Sequence, residues 1–318
     1  YRLGEMLKVQ INVRNIIGLL FVVAVMIVGP IVLARHMLAQ GRTDAFLADQ
    51  PNYLAHTPPP KKVKMTPKLA RLLKKEMHAV EAVPRVFLTR LPEGLPEVND
   101  ANRKKRLFTS TLLPIVLRAN ELIIADRGRL LTLRTKLENQ EPLKRAEKKW
   151  LRQMAKTYRL KRRQDFRTKD IDFLLYKVDV IPPSLALAQA AMESGWGTSR
   201  FAQAGNALFG EWVWGDAEGL LPENRDEGKT HKIKSFEYLL DSVRSYMTNL
   251  NRHPSYEDLR QRRAELRELN IGITGAALAP ALVHYSERGA DYVSDILSII
   301  NYNDLDGLDG ARLVAQNP

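Results

Sequence analysis

Apolar residues recur at spacings of three and four over most of the chain after residue 101, as they do on the core-facing side of amphipathic helices. One such stripe consists of Leu112, Ile115, Val116, Ala119, Leu122 and Ile123. A later stripe consists of Phe236, Leu239, Leu240, Val243, Tyr246, Met247 and Leu250, and Pro254 predicts the end of its helix. The pattern predicts a mainly α-helical domain over residues 102–303, followed by a polar, frayed tail at 304–318.

Two short segments alternate apolar and polar residues instead, which is the pattern of half-buried strands. They cover 208–214 and 231–236, and an acid-rich stretch separates them. We therefore predict a small β-hairpin flap inserted into the helical domain.

Residues 16–34 form an uncharged apolar run of 19 residues, close to the ~20 that cross a bilayer as a helix. Basic residues slightly outweigh acidic ones before the run, which favours a cytoplasmic N-terminus and an exported bulk. We expect a single-pass inner-membrane anchor at 1–42 with the following domain in the periplasm. A signal peptide cleaved after the run is the alternative. The proline- and charge-rich 43–101 is expected to be a linker with one short helical segment.

The composition shows an excess of basic over acidic residues. The 318 residues include 49 Lys and Arg against 36 Asp and Glu, a net charge of +13, which suits a polyanionic partner. Twelve of the basic residues lie in 144–169, either as a face for an anionic polymer or as an ordinary solvated helix surface. No nucleic-acid-binding signature accompanies them, so we expect no nucleic-acid partner.

Cysteine is absent, which excludes disulfides, zinc-thiolate sites and a thiol nucleophile. The lone His253 has no neighbouring ligands at metal spacing and is more typical of a surface or packing residue. We expect no metal and no cofactor.

A single carboxylate stands at the end of a small-residue helix in "PPSLALAQAAMESGWG". Pro183 predicts the start of this helix, and Gly195 and Gly197 predict its end. Glu193 then lies beside the apolar stripe, one turn after Gln189, and among the unpaired carbonyls of the last turn. Burial and that negative potential both raise the pKa of a carboxyl, so Glu193 is the candidate general acid.

Aromatic and amide side chains are dense in the residues that follow Glu193. Flat rings and side-chain amides suit a sugar, which offers C–H groups for stacking and hydroxyl or acetamido groups for hydrogen bonds. Packing in the core is the alternative for at least one of the tryptophans. The candidate substrate-binding residues from this segment are Trp196, Asn206, Phe209 and Trp212.

Three strings, "AAMESGWGTSRFAQAGNALFGEW", "SYMTNLNRHPSY" and "HYSERGADYVSDI", resemble the glucosaminidase domain of glycoside hydrolase family 73, in its bacterial Bax-type form. The resemblance covers about 103–302. It implies a lysozyme-like helical fold and cleavage of the β-1,4 bond between N-acetylglucosamine and N-acetylmuramic acid, with peptidoglycan strands as the partner. Glu193 matches the catalytic glutamate of the family, and Tyr292 and Tyr285 match its C-terminal tyrosines.

The sequence does not decide which residue is the second catalytic group. Glycosidases commonly use a second carboxylate, and the acid-rich stretch offers Asp226 and Glu227 as the chosen candidates beside Glu223, Asp216 and Glu218. We expect Tyr285 to face the Glu193 carboxyl and to hold the attacking water or the substrate acetamido group, with Tyr292 binding substrate. A non-catalytic wall-binding or scaffold protein with the same fold is the alternative function.

Overall fold

The computed structural model describes residues 82–161, 165–213, 219–221 and 232–314. All of them belong to one unit that spans Pro59–Pro318. The predicted membrane anchor at 16–34 lies outside the described residues, and so does the linker before residue 82.

The described residues are mostly helical, as the apolar spacing predicts. The helices are α1 (Ala101–Glu138), α2 (Arg145–Thr157), α3 (Thr168–Lys177), α4 (Pro183–Ser194), α5 (Arg200–Gly205), α6 (Leu239–Arg252), α7 (Glu257–Glu268), α8 (Gly275–Leu278) and α9 (Ala290–Tyr302). Short 3-10 turns occupy Pro254–Tyr256, Ala279–Leu282 and Asp306–Leu308.

Helix α1 is the centre of the domain and packs against α3, α4 and α6. Asp100 caps its N-terminus, where the Asp100 carboxylate accepts a hydrogen bond from the Arg103 amide at 3.0 Å. By length and composition it is the one helix of the described residues that could cross a membrane, but 67% of its apolar window is buried inside the fold. It is therefore a core helix of the domain.

The strands are short and form two small sheets. They are β1 (Ala82–Val83), β2 (Trp212–Val213), β3 (Gly219–Leu220), β4 (Lys232–Lys234) and β5 (Arg312–Leu313). Strands β2 and β4 pair antiparallel with Trp212 opposite Ile233, and β3 adds to the other edge of β4. The predicted pairing of the flap strands is confirmed, with one more strand than the sequence pattern indicates.

Strands β1 and β5 close the domain by pairing its first and last described segments in parallel. Leu91 and Leu95 before α1 are buried, and Leu305 and Ala311 after α9 are buried as well. Buried side chains from outside the predicted limits of 102–303 thus contribute to the core, and within the expected tail residues 306–308 form a 3-10 turn and 312–313 a strand. These segments are ordered because their apolar side chains complete the core.

Helix α2 carries the basic segment on its outer face. Leu151, Met154 and Ala155 are buried, while Lys149, Arg152 and Lys156 are exposed. This arrangement fits both the polymer-binding and the solvated-surface interpretations, so the choice between them stays a prediction.

Candidate active site

Helix α4 positions Glu193 in its last turn, between the boundaries that the sequence predicts. Pro182 and Pro183 begin the helix, and Gly195 ends it in the left-handed conformation with φ of 57°. The first turn is held from outside, because the Asp309 carboxylate accepts hydrogen bonds from the Ser184 amide at 2.8 Å and its hydroxyl at 2.7 Å. A buried α4 with both ends fixed places the Glu193 carboxyl firmly.

The "GWG" after Glu193 is a turn of three left-handed residues. Gly195, Trp196 and Gly197 have φ of 57°, 56° and 77°. Left-handed backbone is costly for a side chain as large as that of Trp196. At Gly197 a Cβ would lie 2.9 Å from the Phe108 ring, so only glycine fits there. The turn ends α4 and leads into α5.

A chain of three hydrogen bonds runs from the core to the Glu193 carboxyl. The Tyr292 hydroxyl donates to Glu193 Oε1 at 3.0 Å. The same hydroxyl oxygen accepts from Gln189 Nε2 at 2.8 Å, and Gln189 Oε1 accepts from the Tyr246 hydroxyl at 2.6 Å. Gln189 and Tyr246 are buried, so this chain is shielded from water along most of its length.

Two effects act on the Glu193 carboxyl in opposite directions. Although its outer side is exposed, the surrounding protein removes enough water to raise its pKa above the ordinary glutamate value. The Tyr292 hydrogen bond lowers the pKa by stabilising the carboxylate, but burial is the larger effect. This is the predicted direction of the pKa shift, and a carboxyl with a raised pKa keeps its proton to higher pH, as a general acid requires.

Aromatic rings pack together beside this carboxyl. The Tyr285 ring stacks on the Tyr292 ring, with centroids 5.2 Å apart and planes at 16°, and Tyr256 lies 5.7 Å from Tyr285. Burial raises the pKa of the Tyr285 phenol, and Tyr292 and the Glu193 carboxylate add to that effect. Tyr285 therefore belongs to the cluster.

The tyrosine hydroxyl that hydrogen-bonds Glu193 is that of Tyr292, which the sequence predicts as a substrate-binding residue. Tyr285, which the sequence predicts to face the carboxyl, stacks on Tyr292. Gly289 has φ of 54° and separates the turn of Tyr285 from α9, so the two tyrosines do not share a helix face. Tyr292 then lies in the first turn of α9, which packs against α4.

Asn206 and Phe209 are buried, so the expectation that they touch the substrate directly does not fit this structure. Asn206 adopts φ of 52° and donates from Nδ2 to the carbonyls of Thr89, Phe236 and Glu237 at 3.0–3.3 Å. Phe209 stacks on Tyr246 with centroids 3.9 Å apart. Both residues support the site from beneath.

The two described tryptophans of the region differ in exposure. Trp196 packs edge-on against Phe108, with the Lys105 ammonium 5.1 Å from the centre of its ring. Trp212 in β2 is 53% exposed. Of the two, Trp212 presents the more open aromatic surface.

One carboxylate near the flap, that of Glu211, was not predicted as a site residue from the sequence. Glu211 precedes β2 and accepts a hydrogen bond from the Ser245 hydroxyl at 2.7 Å, while its Oε1 is buried without a hydrogen-bond partner among the described residues. Burial raises its pKa, and the charges of Glu211 and Glu193 both contribute to raising the pKa of Tyr256. The predicted second carboxylates Asp226 and Glu227 lie outside the described residues.

The other site residues that the sequence analysis left out are Gln189, Tyr246 and Tyr256. Gln189 had a usable signal, because it lies one turn before Glu193 on the same side of α4. Tyr246 stood in an ordinary core stripe, where nothing local distinguishes a hydrogen-bonding tyrosine from a packed one. Within the described ranges, no cluster of three or more His, Asp or Glu is placed to hold a metal ion.

Comparisons with known proteins identify the family of this chain. The profile of the Glucosaminidase family, described as mannosyl-glycoprotein endo-beta-N-acetylglucosaminidase, matches residues 174–305. Protein bax of Escherichia coli is 32% identical over 216 residues, which cover 68% of this chain and 73% of that protein. The crystal structure of the catalytic domain of the autolysin Auto from Listeria monocytogenes aligns with 18% identity and a TM-score of 0.29, over 56% of this chain and 88% of that one. The extent of the match to Protein bax shows that the chain belongs to the Bax-type proteins with a glucosaminidase domain, a kind of glycoside hydrolase.

Proposed function

We propose that this protein is a peptidoglycan hydrolase that cleaves the β-1,4 bond between N-acetylglucosamine and N-acetylmuramic acid, with Glu193 as the general acid. The observation that carries the proposal is the environment of the Glu193 carboxyl. It ends a buried helix, its pKa is raised by burial, and one of its oxygens accepts a hydrogen bond from Tyr292 at 3.0 Å. The match to the glucosaminidase family supplies the substrate class.

The hydrogen bond from Tyr292 to Oε1 indicates which oxygen carries the acidic proton. Because Oε1 is the acceptor, the proton of the neutral carboxyl belongs on Oε2. In the reaction this proton passes to the glycosidic oxygen while the bond from that oxygen to the anomeric carbon breaks. The carboxylate that remains keeps the Tyr292 hydrogen bond, which stabilises its new charge.

The positive charge that develops on the sugar needs a second group. We keep Asp226 and Glu227 of the acid-rich stretch as candidates, together with the acetamido oxygen of the substrate itself. Tyr285 stacks on Tyr292 beside Glu193, where its phenol is suited to hold the acetamido group or the attacking water. Trp212 on the flap strand is suited to stack against a sugar ring.

We also propose that residues 16–34 anchor the protein in the inner membrane, so that the domain acts on peptidoglycan in the periplasm. Cleavage of this run as a signal peptide would release the same domain into the same compartment. Fractionation of cells into membrane and soluble periplasmic material separates the two cases.

The test is release of reducing ends from purified peptidoglycan by the wild-type protein and by Glu193→Gln. We expect the substitution to lower the rate by about 100-fold to 10 000-fold, because it removes the transferable proton and keeps the shape of the side chain. Glu268→Gln, at an exposed glutamate near the end of α7, is the matched control and should keep wild-type activity.

Mass spectrometry of the digest identifies the sugar at the new reducing end. N-acetylglucosamine there supports the proposed bond, and N-acetylmuramic acid would replace it with muramidase activity. A wild-type protein that releases no reducing ends, yet binds peptidoglycan, would establish the non-catalytic wall-binding function instead.

A further inference from the structure

We propose that Gln189 is a positioning residue that fixes the direction of the Tyr292 hydroxyl, and that Tyr246 in turn fixes the direction of the Gln189 amide. Together they hold Tyr292 as a hydrogen-bond donor to Glu193 and leave Glu193 Oε2 as the oxygen that carries the acidic proton. The inference rests on the proposed function, because it concerns the proton that Glu193 transfers.

The hydrogen-bonding capacities of the four side chains permit one polarity when Glu193 is ionised. A carboxylate can only accept, so the proton between Tyr292 and Glu193 must come from Tyr292. The Tyr292 oxygen must then accept its second hydrogen bond, which requires the NH₂ of Gln189. The carbonyl of that amide consequently faces Tyr246, whose hydroxyl must donate.

The surroundings prevent this chain from reversing easily. Gln189 has no exposed surface and Tyr246 is 1% exposed, so water cannot replace either partner. Turning the amide over would point its carbonyl at the Tyr292 hydroxyl and its NH₂ at the Tyr246 hydroxyl. Tyr292 would then donate to Gln189, which leaves the carboxylate without its donor. In a buried place a hydrogen bond lost in this way is not replaced by water, so the reversed chain is disfavoured.

The same polarity matters when Glu193 is neutral. If Tyr292 were rotated to accept, the acidic proton could sit on Oε1 and bond to the phenol, where it is unavailable to a substrate. In that arrangement the phenol hydrogen loses its acceptor, because Gln189 presents its NH₂ and not its carbonyl to Tyr292, and this disfavours the arrangement. The proton is thereby directed to Oε2, the carboxyl oxygen that does not bond to Tyr292.

The titratable groups around Glu193 make the effect measurable. They are the phenols of Tyr292 on α9, Tyr246 on α6, Tyr256 in the Pro254–Tyr256 turn and Tyr285 in the turn before α9. The pKa of each phenol is raised, so all four stay neutral while Glu193 titrates. A change in the Glu193 pKa therefore reports hydrogen bonding and burial rather than a changed neighbouring charge.

The experiment uses Gln189→Met, which keeps the length of the side chain and removes both its donor and its acceptor. We expect kcat on peptidoglycan to fall by about tenfold to a hundredfold with little change in KM, because substrate contacts are untouched. The alkaline limb of the pH–rate profile should move to higher pH, since the carboxylate loses an oriented donor. Gln203→Met is the control, because Gln203 is bonded to the Gly197 carbonyl and not to this chain.

A double-mutant cycle separates positioning from a general loss of packing. In a Tyr292→Phe background, Gln189→Met should change kcat less than twofold, because the hydroxyl on which it acts is already gone. Equal effects of Gln189→Met in both backgrounds would overturn the proposal. Tyr246→Phe removes only one hydroxyl, so it tests the same chain with the least risk to folding and should act in the same direction.

Titration of the Glu193 carboxyl by carbon-13 NMR measures the Glu193 pKa directly, so it tests the hydrogen-bond chain without an activity assay. A higher Glu193 pKa in Gln189→Met and Tyr246→Phe supports the proposal, and an unchanged pKa in both overturns it. If wild-type protein released no reducing ends, the proposed hydrolase function would fail, and this titration would still decide whether Gln189 directs Tyr292.

Discussion

Replacing Asn206 should damage the stability of the fold much more than it damages substrate binding. Asn206 resembles a substrate ligand in sequence, yet it is fully buried and its Nδ2 faces the carbonyls of Thr89, Phe236 and Glu237. These carbonyls belong to the segment before α1 and to the segment that leads from the flap into α6. The amide therefore ties together two pieces of chain that make no helix or strand there.

The cost can be worked out by comparing two substitutions. Asn206→Gly removes the amide but keeps the left-handed backbone, so it isolates the hydrogen bonds. Nδ2 has two protons for three carbonyls, and losing two buried hydrogen bonds at about 1–1.5 kcal/mol each gives about 2–3 kcal/mol. Asn206→Ala adds the cost of φ near 52° for a residue with a Cβ, about 1 kcal/mol more.

Urea denaturation of the wild type and both variants measures these values directly. For a domain of this size, about 2–3 kcal/mol corresponds to a fall in Tm of roughly 5–10 °C. Activity measured well below the transition should show a KM close to the wild-type value. An Asn206→Gly protein with wild-type stability and a much higher KM would refute the reasoning and return Asn206 to the substrate-binding residues.

Three further predictions follow from other parts of the structure. Gly197→Ala should lower the unfolding free energy by about 2–4 kcal/mol in urea titrations, because its Cβ would overlap the Phe108 ring and the backbone is left-handed. Asp126→Asn should stabilise the protein by about 1–3 kcal/mol at pH 8 and not at pH 3. Burial raises the pKa of Asp126 to about 6, although the charges of Arg244 and Arg129 lower it. The wild-type protein therefore loses unfolding free energy as pH rises from about 4 through 6, because the buried carboxyl becomes charged. Equal Tm differences between Asp126→Asn and wild type at both pH values would contradict this. Trp212→Ala should raise KM on peptidoglycan about three- to tenfold with unchanged Tm, since an exposed ring contributes little to folding, and a falling Tm with constant KM would assign the ring to packing.

The long elements could be predicted from the sequence because their signals are local. The stripe in α1 and the proline and glycines that bound α4 act within a few residues, and both helices form where they predict. The raised pKa of Glu193 could also be inferred, since it follows from the position of the residue on its own helix.

The hydrogen-bond chain could not be predicted, because its members come from different helices. Whether Tyr285 or Tyr292 reaches Glu193 depends on the turn at Gly289 and on how α9 packs against α4, which no sequence spacing determines. Asn206 shows the reverse problem. A polar residue between aromatic ones resembles a ligand in sequence, and only its left-handed backbone and three carbonyl partners identify it as a structural residue.

The hydrogen bonds from Ser184 to Asp309 have a consequence for the order in which the protein matures during synthesis. Helix α4 is made long before residue 309, so for more than a hundred residues of elongation it lacks the carboxylate that holds its first turn. Strand β1 likewise lacks its pairing partner until β5 has been made. The helix that carries Glu193 therefore gains this contact only after residue 309 has been made, so its full set of hydrogen bonds cannot form before the last described segment is synthesised.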